Sequence, residues 1–218
     1  MKNLLIENHE RLVQASLYPE RILARSWYYG ERLPGSLPEV WLRESVYERL
    51  IAAAESLPEG MRLVIWDGWR SYELQSELYR ILLERIMSQG IPESEARKRA
   101  SVFVAIPSRE AGTVSGHLTG GAVDLTIADT KGHYLDMGGS FDETEEHSRT
   151  DYYERSENEN ITARDNRRLL VSIMERAGFS NYASEWWHYD YGNRQWAEKT
   201  GAPHAFYGYI EPPFKWNK

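Results

Sequence analysis

The sequence predicts an α+β fold in which helices flank an antiparallel sheet. Segments with apolar residues at helical spacing come first, and short strand-like runs joined by long connections follow them. This order differs from the alternating strand and helix units of a parallel sheet. The chain has 218 residues, enough to bury about 70% of its surface on folding, so we expect a single domain over residues 1–218.

The first 38 residues predict an irregular arm. Their aromatic side chains follow no sustained period, and the segment ends among prolines and a glycine. We expect this arm, residues 1–38, to pack on the core of the domain.

Three of four predicted helical segments carry apolar side chains at the three- and four-residue spacing of an amphipathic helix, and the remaining one begins with a proline followed by acidic residues that complement the helix dipole. Pro58 follows the first segment, and Ser71 is placed to cap the second. Pro92 begins the third, and Thr162 is placed to cap the fourth. The predicted helices span residues 39–57, 71–90, 92–105 and 162–177.

Three shorter runs predict strands. Residues 62–66 are mostly β-branched or aromatic, and residues 186–191 are aromatic. Residues 122–127 alternate, with Asp124 on a small polar face, which predicts a half-buried strand. The acidic segment 142–160 has few apolar residues and predicts a solvated loop.

Charge and composition exclude several classes of protein. The chain has 26 Lys and Arg against 33 Asp and Glu, a net charge of −7 that disfavours binding to nucleic acid. No apolar run approaches the ~18 residues of a membrane span, and the N-terminus has no signal-peptide core. We expect a cytoplasmic protein, although a periplasmic chain whose signal had been removed would look similar. Because cysteine is absent, any metal must be bound by histidine and carboxylate.

Two segments hold the candidate ligands of such a metal. Glycines after His117 interrupt the chain, so His117 can fold back over the polar face that carries Asp124. In the second segment Glu185 lies on the turn before an expected strand, and His188 lies within that strand. His117, Asp124 and His188 would form a site of two histidines and one carboxylate. Three protein ligands leave a fourth position open, which is typical of catalytic zinc.

Two further residues would complete the chemistry. Glu185, near the metal but not bound to it, would take a proton from water and pass it to a leaving amine. Arg70, just after strand 62–66, would stabilise an oxyanion.

Four motifs occur in order along the chain. Residues 66–70 read W-D-G-W-R, and residues 115–124 fill every fixed position of the pattern S-x-H-x-x-G-x-A-x-D. Residues 137–142 read M-G-G-S-F-D, and residues 185–188 follow E-x-W-H. In all four the sequence resembles the D-alanyl-D-alanine dipeptidases, the VanX-type branch of the M15 zinc peptidases.

This resemblance implies the zinc D-Ala-D-Ala metallopeptidase fold, which is hedgehog-like, and one Zn²⁺ per chain on His117, Asp124 and His188. It implies Glu185 as the general acid and base, and Arg70 as the group that stabilises the tetrahedral intermediate. The implied reaction is hydrolysis of D-alanyl-D-alanine or a close D,D-dipeptide.

The resemblance also implies two substrate-binding residues. Asp142 would bind the free ammonium of the dipeptide, and Ser115 would help to orient the substrate. Recognition of that ammonium would separate a dipeptidase from a carboxypeptidase that acts on long chains.

Three alternatives stay open at this point. A zinc D,D-carboxypeptidase would act on peptidoglycan peptides. A non-haem iron oxygenase also uses two histidines and one carboxylate, but its usual spacing is missing. A catalytically silent zinc-binding module of the same fold would require neither Glu185 nor Arg70.

Overall fold

A five-stranded mixed sheet forms the centre of the protein. The computed structural model describes residues 4–155 and 160–212. Its strands are β1 (Leu4–Leu5), β2 (Leu12–Gln14), β3 (Ile22–Ala24), β4 (Trp41–Arg43), β5 (Arg62–Asp67), β6 (Ala122–Ala128), β7 (Ser180–Asn181), β8 (His188–Asp190) and β9 (His204–Ala205). The order in the central sheet is β3-β5-β6-β8-β7, while β1 pairs with β9 and β2 with β4.

Helices surround this sheet, so the predicted α+β class is confirmed. They are α1 (Trp27–Gly30), α2 (Glu44–Glu55), α3 (Tyr72–Met87), α4 (Glu93–Phe103), α5 (Ile161–Arg176) and α6 (Arg194–Thr200). α2 packs against α5, and α3 packs against α4. Across the described ranges, no helix combines the length and apolar character that crossing a membrane requires.

Several elements form where the sequence predicts them. The run at 62–66 becomes β5, which extends to Asp67. α3 starts after Ser71, whose hydroxyl accepts a hydrogen bond from the backbone N–H of Leu74 at 3.0 Å. Gly90 follows this helix with a left-handed φ of 82°, a conformation that favours glycine.

The prediction of a wholly antiparallel sheet is wrong at one edge. β5, β6, β8 and β7 are antiparallel neighbours, but β3 pairs with β5 in parallel. β3 belongs to the arm of residues 1–38, which the sequence predicts to be irregular. Runs of two or three residues are too short to carry a detectable period, and they become strands through partners far away in the sequence.

Two helix starts also differ from the prediction. The helix expected from residue 39 begins at Glu44, because β4 comes first and pairs with β2. The N-cap of α5 is Asn160 rather than Thr162. The side chain of Asn160 accepts a hydrogen bond from the backbone N–H of Ala163 at 3.0 Å.

The burial of β6, the length of β8 and the burial of the acidic segment 142–160 also differ from the prediction. β6 is buried on both faces rather than half-buried, because it lies in the middle of the sheet and its polar face is covered. Of the predicted strand 186–191, the part that forms a strand is the shorter β8, His188–Asp190. The acidic segment 142–160 is not fully solvated, since it contains the buried Ser148; residues 156–159 lie outside the described part.

Arg43 joins the arm to the turn that carries His117. Its side chain is only 1% exposed. Its Nε donates to the Thr119 carbonyl at 2.7 Å, and its Nη2 donates to the Gly208 carbonyl at 3.1 Å. Glu7 lies 3.1 Å from its Nη1. The segments around Glu7 and Gly208 therefore both support the turn at His117.

An aromatic cluster underlies the same region. The ring of Trp66 lies 4.7 Å from that of Phe141 and 6.0 Å from that of Trp186, measured between centroids. Trp187 contacts Phe141 at 5.6 Å. These rings precede or follow candidate site residues in the sequence, so packing of the core fixes the backbone of the site.

Candidate metal centre and active site

Three candidate metal ligands converge at one point. His117 Nε2 lies 3.2 Å from His188 Nδ1 and 3.3 Å from Asp124 Oδ2. His188 Nδ1 lies 3.0 Å from Asp124 Oδ1. One ligand atom from each residue falls within 4.8 Å of the others. The structure thus brings His188 next to two side chains that precede it by 64 and 71 positions in the sequence.

The local backbone explains this convergence. Asp124 on β6 and His188 on β8 are direct partners across the antiparallel ladder. His117 begins a short 3₁₀ turn that ends at Gly120, whose φ is 71°. At Gly121 a Cβ atom would lie 2.6 Å from the carbonyl oxygen of Tyr191. The two glycines therefore let the chain turn back, so that His117 covers the polar face of β6 as the sequence predicts.

Hydrogen bonds at the far side of each imidazole fix its orientation. His117 Nδ1 lies 2.7 Å from the carbonyl oxygen of Gly68. His188 Nε2 lies 3.3 Å from Asp190 Oδ2. Such outer partners are typical of histidines that bind metal, because they select the tautomer and direct the other ring nitrogen at the ion. Here they direct Nε2 of His117 and Nδ1 of His188 at Asp124.

The electrostatics of the site favour a bound cation. Burial opposes the charge of Asp124, but His117 and His188 hold its pKa well below the ordinary value. Burial likewise opposes a charged His188, yet Asp190 and Asp124 raise its pKa above the ordinary value. Because metal ligands bind in their deprotonated form, a Zn²⁺ ion would replace the proton on His188, and two imidazole nitrogens with one ionised carboxylate form a donor set that suits this ion.

Glu185 lies beside the ligands on the turn before β8, where the sequence places it. Its side chain is almost completely buried, and its Oε2 is 3.9 Å from His188 Nδ1. The side chain of Asn181 donates to the Glu185 carbonyl at 3.0 Å and holds the turn. Burial, with Asp124 near, raises the pKa of Glu185 to about 8. A cation in the ligand cluster would lower this pKa, because positive charge stabilises the carboxylate.

Arg70 is the buried cation of the site. Its Nε donates to Asp67 Oδ2 at 2.6 Å, and its Nη2 is 3.4 Å from Asp124 Oδ2. Its Nη1 donates to Gln75 Oε1 at 3.1 Å. Burial opposes the charge, but Asp67, Tyr28 and Asp124 raise the pKa of Arg70 above its ordinary value. Arg70 is therefore held in a fixed orientation next to Asp124, a candidate metal ligand.

Ser115 and Asp142 line the same cavity as the three candidate metal ligands. This cavity has a volume of about 310 Å³, and its walls include all seven residues singled out in the sequence. The Ser115 hydroxyl lies 3.5 Å from Gln75 Oε1. Asp142 has a left-handed φ of 64°. Its carboxyl, although reached by solvent, is partly desolvated, which raises its pKa to about 6.

Three residues of the site were missed by the sequence analysis. Gln75 contacts both Arg70 and Ser115, and Tyr28 of the arm lines the cavity. Asp190 supports His188. Of the three, Asp190 alone could have been found from the sequence. It lies two positions after His188 in the expected strand, and residues two apart in a strand face the same side. Gln75 and Tyr28 meet the site through tertiary packing, which no local pattern encodes.

A buried site of two histidines and one aspartate, with a free glutamate and an arginine beside it, places the protein in the class of zinc-dependent hydrolases. The Peptidase_M15 family model, whose description is D-ala-D-ala dipeptidase, matches residues 40–205. The chain therefore belongs to this family.

The chain is also similar to individual proteins. A D-alanyl-D-alanine dipeptidase of Synechocystis sp. is 31% identical over 209 residues, which cover 84% of this chain and 83% of the relative. One from Enterococcus faecium is 34% identical over 151 residues, with 65% of this chain and 68% of the relative covered. The solved structure of VanYB in complex with D-alanine-D-alanine is 21% identical, with a TM-score of 0.46, and covers 73% of this chain and 76% of that one.

Proposed function

We propose that the protein is a zinc-dependent D,D-dipeptidase that hydrolyses D-alanyl-D-alanine, or a close D,D-dipeptide, to free amino acids. The observation that carries this proposal is the convergence of His117, Asp124 and His188 beside the buried carboxyl of Glu185. Membership of a family described as D-ala-D-ala dipeptidase supports the choice of substrate. A cavity of about 310 Å³ suits a small substrate.

In this proposal His117, Asp124 and His188 hold the zinc. When bound, Zn²⁺ supplies a Lewis acid that acidifies water and polarises a carbonyl oxygen. Glu185 Oε2 accepts the proton of the attacking water and returns it to the nitrogen of the leaving amino acid. The near-complete burial of Glu185 keeps bulk water away from this proton transfer.

Arg70 stabilises the negative oxygen that develops on the scissile carbonyl. Its guanidinium is already oriented by Asp67 and Gln75, so little reorganisation is needed during the reaction.

We expect Arg70→Ala to lower kcat by about 10²–10³, because the donor acts on charge that develops in the transition state. Steady-state kinetics on D-Ala-D-Ala measure the effect, and Arg70→Lys, which keeps a positive charge, is expected to retain part of the activity. A large rise in KM with unchanged kcat would contradict this role.

Asp142 and Ser115 select the substrate in this proposal. The Asp142 carboxylate binds the free ammonium of the dipeptide from the cavity wall, and the Ser115 hydroxyl orients the substrate. A carboxylate at this position favours a dipeptide over a longer peptide, whose corresponding nitrogen is an uncharged amide.

A panel of the four stereoisomers of Ala-Ala, with a longer peptide ending in D-Ala-D-Ala, tests the function. The panel is assayed with zinc-loaded and chelated protein. We expect cleavage of the D,D-dipeptide only, and only with zinc. Release of D-alanine from the longer peptide without cleavage of the dipeptide would favour the carboxypeptidase alternative. Zinc binding without any turnover would favour the silent module.

The cytoplasmic location expected from the sequence is part of this proposal. Fractionation of cells into cytoplasm and periplasm checks it, and activity in the periplasmic fraction would contradict it.

A further inference from the structure

Arg167 on α5 is a buried cation bound to backbone carbonyls. Its side chain is 2% exposed, and within the described part of the chain its hydrogen bonds go to three backbone carbonyls and not to a carboxylate. Burial lowers the pKa of Arg167 to about 10, so the guanidinium still carries its charge at neutral pH. Burying a charge without an acidic partner costs free energy of folding unless dipoles compensate it, and the backbone carbonyls supply those dipoles for Arg167.

The three hydrogen bonds of Arg167 connect the two ends of one loop. Arg167 Nε donates to the carbonyl of Met137 at 2.7 Å. Nη2 donates to the carbonyl of His147 at 2.8 Å, and Nη1 donates to that of Arg149 at 2.6 Å. One guanidinium thereby joins both ends of the segment 137–149, which we term the 137–149 loop. It fastens this loop to α5.

The 137–149 loop carries Asp142 into the cavity wall. Asp142 adopts a left-handed φ of 64°, which aspartate tolerates better than most residues other than glycine and which turns the backbone sharply at this point. Within the loop the Ser148 hydroxyl donates to the Glu143 carbonyl at 2.8 Å. Tyr153 donates to the Gly138 carbonyl at 2.6 Å, and its ring lies 4.8 Å from the Arg167 guanidinium.

The same cation lies near the turn of Glu185. The guanidinium carbon of Arg167 is 5.7 Å from the ring of Trp186, the next residue after Glu185. The backbone N–H of Trp186 donates to the Ser148 carbonyl at 2.9 Å. The loop with the proposed ammonium ligand and the turn with the proposed base are thus held together around Arg167.

We propose that Arg167 is a positioning residue for recognition of the substrate ammonium. It holds the 137–149 loop in the one arrangement that directs the Asp142 carboxylate into the cavity, and it thereby makes the enzyme selective for substrates with a free amino group. This inference rests on the proposed dipeptidase function.

The test compares two substrates of nearly equal shape. D-Ala-D-Ala carries the ammonium, and D-lactoyl-D-alanine carries a hydroxyl in its place with the same amide to be cleaved. The selectivity is the ratio of kcat/KM for the first to kcat/KM for the second. It is measured for the zinc-loaded wild type, Arg167→Met and Arg167→Lys. Arg168→Met is the matched control, because Arg168 is exposed and pairs with Glu154 at the surface.

We expect Arg167→Met to lower the selectivity by about tenfold or more, through a higher KM for D-Ala-D-Ala. We expect Arg167→Lys to keep part of the wild-type selectivity, because its ammonium can still donate hydrogen bonds to some of the three carbonyls. Arg168→Met leaves it unchanged, and zinc content stays equal in all variants. Asp142→Asn lowers the selectivity on its own, and adding Arg167→Met to it causes little further loss.

Equal loss on both substrates, or a lower Tm with unchanged selectivity, would overturn the inference and leave Arg167 a purely structural residue. If Arg167→Met fails to fold, Arg167→Lys takes its place in the test. A selectivity of Arg167→Lys equal to that of the wild type would then overturn the inference, and a lowered selectivity would support it. A wild type that does not cleave D-Ala-D-Ala would instead overturn the proposed function, so the two failures are distinguishable.

Discussion

Replacing Glu185 by alanine is expected to abolish hydrolysis of D-Ala-D-Ala while one zinc ion per chain stays bound. Glu185 lies beside the ligand cluster, with its Oε2 3.9 Å from His188 Nδ1, and it is not one of the three convergent ligands. Its removal therefore takes away the proton acceptor and leaves the donor set intact. General acid and base catalysis contributes about 10²–10⁴ in rate, and we expect at least this loss in kcat. Kinetics and metal analysis on the same preparation measure both quantities.

Glu185→Gln is the matched control for packing. The amide fills the same nearly closed space but cannot accept the proton at neutral pH, so we expect it to be as inactive as alanine. Near-full turnover in either variant would mean that another group is the base. Loss of zinc from both variants would mean that Glu185 helps to hold the ion.

Replacing His188 by alanine is expected to remove the metal itself. His188 supplies Nδ1 to the cluster, and its ring also links Asp124 to Asp190. Without it, two ligands remain and the two buried carboxylates face each other without the imidazole between them. We expect the zinc content to fall from one per chain to near zero, with activity lost in proportion.

His133→Ala is the control for this variant. His133 is exposed and pairs with Asp129 at the surface, so zinc content and activity should both stay at the wild-type level. A His188→Ala protein that still binds one zinc ion with unchanged affinity would show that the ion lies elsewhere.

The large elements of the fold were predictable because their signals are local. α3 carries its cap at Ser71 and an apolar stripe on one face, and residues 63–66 within β5 are a continuous apolar run. The strands of the arm were not predictable, since β3 owes its conformation to pairing with β5 about 40 positions away. Asn160 replaces Thr162 as a cap because both residue types can accept the same hydrogen bond, and only the backbone decides between them.

In the candidate site, likewise, some residues could be predicted from the sequence and others could not. Fixed residue types at fixed spacing predicted that His117, Asp124 and His188 would meet, and the ladder between β6 and β8 explains why they do. The partners that orient these groups could not be predicted. Gln75 lies on the buried face of α3 like an ordinary core residue, and Tyr28 reaches the cavity from an arm outside the range matched by the family model.

Titration of the metal-free wild type with zinc tests the central claim most directly. Bound zinc and the rate of D-Ala-D-Ala hydrolysis are followed in the same samples as zinc is added. If the three side chains hold one catalytic ion, activity rises in proportion to bound zinc and stops rising at one equivalent per chain. Hydrolysis that persists in the metal-free protein, or one equivalent of bound zinc with no hydrolysis, would contradict the account.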